Sequence, residues 1–239
     1  MPDGVVAVSP HLDDLALSCA EYLATRPGSL MVTAFAGGPT TVDPLPDWDR
    51  AAGCFLPGAD VVESRRQEDL AASAVLDGTS RHLAHWDWHY RIPIYGYDGP
   101  AGRQELAQAV AADLALVIER QEFATWIIPL GLVHPDHQAT ADACLAIAGS
   151  HPEIEWLVYE DLPYTLEFPG EAQKTQRRLR DRGFRLQAMA AGETPSGQST
   201  KRSAVNCYRS QVKPLGDRVE QSITAREQIY RLTWKDEHQ

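Results

Sequence analysis

Val5-Val6-Ala7-Val8-Ser9-Pro10-His11-Leu12-Asp13-Asp14 decides how this chain is read. A short apolar run leads into a turn that carries one histidine and two carboxylates. Such a run, bounded by turn residues, reads as a buried strand. In an open parallel sheet, ligands bind in the crevice beyond the carboxyl ends of the strands. A second stretch repeats the arrangement: Trp126-Ile127-Ile128-Pro129-Leu130 precedes His134-Pro135-Asp136-His137. Two polar clusters far apart in sequence, each behind a strand, are what a site assembled by folding requires.

Between and beyond these stretches, strand and helix patterns alternate, which predicts a single α/β domain over residues 1–239. Its architecture is a Rossmann-like, open, mostly parallel sheet flanked by helices. Strands are expected at Val5–Ser9, Leu30–Ala36, His82–Trp88, Thr125–Leu130, Trp156–Tyr159 and Phe184–Met189. Helices are expected at Asp14–Arg26, Asp60–Leu76, Arg103–Gln121, Asp136–Ala148, Ala172–Arg182, Lys201–Val212 and Asp217–Gln221. Residues 37–58 and 89–100 read as long irregular loops, which are functional more often than not in compact domains.

Composition narrows the function. The 239 residues are 44% hydrophobic and 23% charged, ordinary values for a globular protein. The formal charge of −11 repels phosphate backbones, so nucleic acid is not an expected partner. No apolar stretch is long enough to span a bilayer. Met1-Pro2-Asp3-Gly4 lacks the features of a signal peptide, and the fold is expected to begin at once. Cys19, Cys54, Cys144 and Cys207 form no paired motif, which argues for free thiols and a cytoplasmic location.

His11, Asp13, Asp14, His134, Asp136 and His137 together suit metal-assisted hydrolysis. Such a site needs three protein ligands, an open position and a spare base. Each residue also has a plainer reading. Asp13 or Asp14 suits a helix N-cap, and His134-Pro135-Asp136 suits a helix start. A two-metal phosphoesterase and a non-catalytic sugar-binding module are the competing functions. No G-x-G-x-x-G follows the first strand, so a dinucleotide fingerprint is absent.

The pair Ser9-Pro10-His11-Leu12-Asp13-Asp14 and His134-Pro135-Asp136-His137 resembles the signatures of the PIG-L/LmbE-like N-acetylglucosaminyl deacetylases. Arg65-Arg66-Gln67-Glu68, Tyr159-Glu160-Asp161-Leu162-Pro163-Tyr164 and Tyr208-Arg209-Ser210-Gln211 extend the resemblance. It implies an amidohydrolase that removes an N-acyl group, chiefly N-acetyl, from an amino sugar or glycoconjugate. His11, Asp14 and His137 would hold Zn2+, with Fe2+ as the alternative metal. Asp13 would be the general base, and His134 would steady the oxyanion or protonate the leaving amine. Asp136 would orient a neighbouring histidine. Arg65 would contact substrate; its plainer reading is a surface arginine paired with Glu68 or Asp69. Leu132 occupies a position that is tyrosine in some members, so a tyrosine contribution to the oxyanion hole either comes from elsewhere, with Tyr164 the candidate, or is absent. Glu160 and Asp161 read as rim or structural residues. Tyr90, Tyr95 and Tyr97 would line a sugar-binding mouth, with Trp86 and Trp88 in the core.

Overall fold

The computed structural model describes residues 4–56, 58–95, 100–120, 123–189 and 195–234. Seven strands form one sheet: β1 (Val6–Ser9), β2 (Leu30–Thr33), β3 (Thr79–His82), β4 (Thr125–Pro129), β5 (Glu155–Tyr159), β6 (Phe184–Ala188) and β7 (Ile229–Trp234). Their spatial order is β3-β2-β1-β4-β5-β7-β6. The first five run parallel, and β7 lies antiparallel between β5 and β6.

Period-2 side-chain alternation divides the core between the two faces of this sheet. Val6, Val8, Trp126 and Ile128 pack on one side, with Val110, Leu114 and Val117 of α6 (Pro100–Arg120). Val5, Ala7 and Ile127 pack on the other, with Leu15, Leu17 and Leu23. The chain adds strands outward from β1 through β2 to β3 and then returns to add β4 on the other side of β1. The loops after these two strands therefore diverge and leave a crevice at that point.

Several elements differ from the sequence pattern. The helix expected from Asp14 to Arg26 is two pieces, α1 (Asp14–Ser18) and α2 (Ala20–Leu23), broken at Cys19 with φ −148°. Glu227 explains how the break is tolerated: its carboxylate accepts the Glu21 and Tyr22 backbone N–H groups at 3.0 and 3.1 Å. A helix start leaves such donors unpaired, and a distant carboxylate meets that need here. The stretch 82–88 is not a strand. Its aromatic residues suggested one, but the edge strand is the polar Thr79–His82, and Trp88–Tyr95 forms a helix, α5, inside the expected loop 89–100. The expected helix 201–212 divides into α10 (Pro195–Val205) and α11 (Arg209–Leu215). Loop 37–58 contains α3 (Asp47–Ala52). The remaining helices are α4 (Val61–Val75), α7 (Pro135–Ala148), α8 (Tyr164–Glu167), α9 (Glu171–Asp181) and α12 (Arg218–Thr224). Among the described residues, no helix is long and apolar enough to cross a membrane.

Candidate active site

The loop after β1 is folded back on itself. Ser9 Oγ donates to the His11 carbonyl at 2.5 Å, and the His11 N–H donates to Asp14 Oδ2 at 2.7 Å. The capping reading of the two aspartates does not hold in its simple form. Asp13 occupies the N-cap position of α1 without a side-chain capping bond, and Asp14 reaches backwards to His11. After β4, the chain makes a three-residue turn closed by the His134 N–H on the Leu132 carbonyl at 2.6 Å. Val133 at its centre has φ +56°, a costly conformation for a β-branched residue. His134 then caps α7: its Nδ1 accepts the Asp136 N–H at 3.2 Å, and Pro135 starts the helix.

These two loops bring His11, Asp14 and His137 together. Their ligand atoms lie within 4.8 Å of one another. His11 Nδ1 is 3.4 Å, and His137 Nε2 3.3 Å, from Asp14 Oδ2. Each imidazole is anchored through its other nitrogen to a buried carboxylate. His11 Nε2 is 3.1 Å from Asp136 Oδ2, and His137 Nδ1 is 2.6 Å from Asp161 Oδ1. Those carboxylates are themselves held. Asp161 Oδ2 accepts the Gly131 and Leu132 N–H groups at 2.9 and 3.3 Å. Asp136 accepts from the Trp88 N–H at 3.0 Å and from Arg91 Nη2 at 2.6 Å.

This pattern fits a divalent cation. Ligands in a tetrahedral shell, at about 2.0–2.1 Å from the metal, stand roughly 3.4 Å apart. His137 Nε2 is fully buried without a hydrogen-bond partner, a cost that a ligated cation removes. A second group, His11, His134 and Asp136, is also close enough to ligate. Its atoms are committed elsewhere: both Asp136 oxygens and His134 Nδ1 already have hydrogen-bond partners.

Charge follows the same geometry. Burial alone would raise Asp14, but His137 and His11 hold it well below the usual carboxylate range. Burial and the neighbouring Asp14 charge push Asp13 up to about 6. Burial works against a charged His137, yet Asp14 and Asp161 lift it to about 9. His134 is held down to about 3 by burial and by His11 and His137. It is therefore a neutral imidazole. Because Nδ1 accepts a backbone N–H, its proton sits on Nε2.

A cleft of about 610 Å3, counting its open mouth, adjoins this group. Asp13, His134, Arg65 and Tyr164 all line it. Arg65 is not a surface residue: it is 5% exposed and lies 3.4 Å from Asp87 and 3.9 Å from Asp49. Glu68 and Asp69 are engaged elsewhere, with Ser210 and with His82 and Tyr208. The Tyr164 ring meets the His137 ring edge-on at 4.9 Å. The expected aromatic roles are partly reversed. Tyr90 is buried and donates to Asp49 at 2.8 Å, so it does not line the mouth. Trp86 and Trp88 are half-buried rather than in the core, and the Trp88 ring packs 5.8 Å from that of His134. The side chain of Tyr95 and all of Tyr97 lie outside the described residues.

The sequence reading missed several residues of the site. Of the two readings of Asp161, rim or structural, the structure agrees with the second: it is fully buried beneath His137. Arg91 supports Asp136 from an unsuspected helix. Asp87, Trp48, His89, Gln211 and Arg218 complete the cleft wall. Asp161, inside the quoted tract 159–164, and Gln211, inside the quoted tract 208–211, had a sequence signal.

Fold and site of the chain together are similar to those of deacetylases of the PIG-L/LmbE type, which are amidohydrolases. No family model and no curated protein matches it. Among solved structures, it is similar to a deacetylase of the teicoplanin biosynthesis pathway, at 28% identity and a TM-score of 0.80, covering 98% of this chain and 99% of that one. The A40926 pseudoaglycone deacetylase Dbv21 shares the fold at 23% identity, TM-score 0.80 and 98% coverage of both chains. The N,N'-diacetylchitobiose deacetylase of Pyrococcus horikoshii shares it more distantly, at 15% identity and TM-score 0.56, covering 97% of this chain and 84% of that one.

Proposed function

We propose that the protein hydrolyses the N-acetyl group of an amino sugar carried by a small glycoconjugate, with His11, Asp14 and His137 holding Zn2+. The observation that carries this reading is the paired anchoring of the two imidazoles. Each gives one nitrogen to a buried carboxylate and turns the other towards Asp14 Oδ2. Carboxylate-backed histidines of this kind are the usual way to fix tautomer and orientation for a metal. A structure of the teicoplanin deacetylase is described as a zinc-inhibited form, which supports a divalent metal in this class. Fe2+ is the alternative for such a ligand set.

When bound, the cation supplies Lewis acidity, which polarises a carbonyl and acidifies water. The remaining work falls to side chains. Asp13 lines the cleft outside the ligand set and takes the proton from the attacking water. His134, neutral and protonated on Nε2, donates to the oxygen that gains charge in the tetrahedral intermediate. This favours the oxyanion role over proton delivery to the amine. Asp136 holds His11 in place. Arg65 and Tyr164 contact the substrate from the cleft wall. Cys19 and Cys144 are buried and all four thiols are free, in keeping with a reducing, cytoplasmic setting.

An acetate-release assay over a panel of N-acetylated amino sugars and glycoconjugates tests the reading. Hydrolysis lost to a chelator and restored by one metal equivalent per chain is the expected result. Two metals per chain with phosphate-ester turnover would replace it with a phosphoesterase. Sugar binding with no turnover of any panel member would leave a binding module.

A further inference from the structure

A second cleft, of about 570 Å3 with its mouth, lies among α6, α7 and α9 and is not used by the proposed chemistry. Three guanidinium groups line it: Arg103, Arg178 and Arg182. Asp142 is the one carboxylate in its lining. Arg182 Nη1 is 2.9 Å from Asp142 Oδ1, and Arg103 Nε is 3.8 Å from Asp142 Oδ2. Arg178 has no hydrogen-bond or carboxylate partner for its side chain among the described residues. The cleft therefore carries an excess of two positive charges, within a chain whose formal charge is −11.

The surroundings favour a ligand over dispersed surface charge. Buried Leu145 and Leu179 supply the apolar part of the cleft lining, beside arginine side chains that stay accessible to a ligand from solvent. Arg103 Nη1 is also fixed, donating to Gln138 Oε1 at 2.6 Å. Arg103 and Arg182 are thus fixed while Arg178 is left without a partner among the described residues, and guanidinium forks gathered around a concavity are suited to planar or tetrahedral oxyanions.

We propose that this cleft is an oxyanion site, which takes the phosphate or carboxylate group of a small molecule between Arg178 and Arg182, with Arg103 as the third contact. It is separate from the catalytic cleft but shares the first turn of α7: His137 meets Asp14, and the next residue, Gln138, lines the second cleft.

Calorimetric titration of the metal-loaded protein at constant ionic strength tests it, with sodium phosphate and sodium acetate as separate arms and sodium chloride as reference. Saturable binding of one anion per chain is expected, with Kd on the order of 1 mM. The arm that saturates identifies the source chemistry. Arg178→Gln should weaken binding by about tenfold, the usual value of one charge-assisted contact. Asp142→Asn should tighten it, because it releases Arg182 and Arg103 from their internal partner. Absence of saturation in both arms would overturn the proposal. So would saturation that neither substitution changes, since the anion would then be in the catalytic cleft.

Discussion

Replacing Asp161 by Asn changes one atom and should disable the metal site. The wild-type carboxylate is fully buried and acts only as an acceptor: Oδ1 faces His137 Nδ1 at 2.6 Å, and Oδ2 faces the N–H groups of Gly131 and Leu132 at 2.9 and 3.3 Å. An amide cannot satisfy both ends. If its oxygen stays with the two backbone donors, its NH2 faces Nδ1. The imidazole must then carry its proton on Nε2, the nitrogen that points to Asp14 and would ligate the cation. If the amide flips, NH2 confronts two backbone N–H groups. The flipped amide leaves mispaired buried donors, a stability cost of about 1–3 kcal/mol, whereas the first arrangement pairs its groups but puts a proton on the nitrogen the cation needs. Loss of such an anchoring partner lowers metal affinity by about 10–100-fold. Competition against a chromophoric chelator measures the affinity, and denaturant titration of the metal-free proteins measures the stability. Wild-type metal affinity in Asp161→Asn would refute the claim that the Asp161 carboxylate fixes the His137 tautomer.

Three other outcomes follow from the same geometry. Asp13→Asn should keep metal content near one per chain while kcat falls by about 10²–10⁴-fold, the range of general-base catalysis; loss of metal with residual turnover would place Asp13 among the ligands. Arg91→Met should destabilise the fold by about 3–5 kcal/mol in denaturant titration, because it strips a buried carboxylate of a cation 2.6 Å away. The exposed pair Arg202–Glu220 serves as control, and Arg202→Met should leave the midpoint unchanged. Gly131→Ala should cost about 1–3 kcal/mol, since φ is +84° and the new Cβ would sit 2.5 Å from that of Ala141; a thermal melt at the wild-type midpoint would show that this turn relaxes freely.

The residues that meet at the candidate site were legible because they are local. His11, Asp13 and Asp14 share one turn, His134 to His137 share another, and each turn follows an apolar strand that announces its own burial. The cleft wall was not legible in this way. Trp48, Asp87 and Arg218 come from three separate segments, and nothing in their immediate neighbours marks them. Aromatic character alone does not separate Trp86 and Trp88, which are half-buried, from Tyr90, which is buried with its hydroxyl donating to Asp49.

By itself the sequence determined the α/β alternation and the pair of clusters at strand ends, since periodicity and turn chemistry act over a few residues. Tertiary structure alone decided what lies behind those clusters. It split α1 from α2 under a carboxylate more than two hundred residues away, inserted β7 between β5 and β6, and set Asp161 and Asp136 against the two imidazoles. Hydrogen bonds and ion pairs of that kind join groups distant in the chain, and their strength depends on a burial that exists only once the whole sheet has formed.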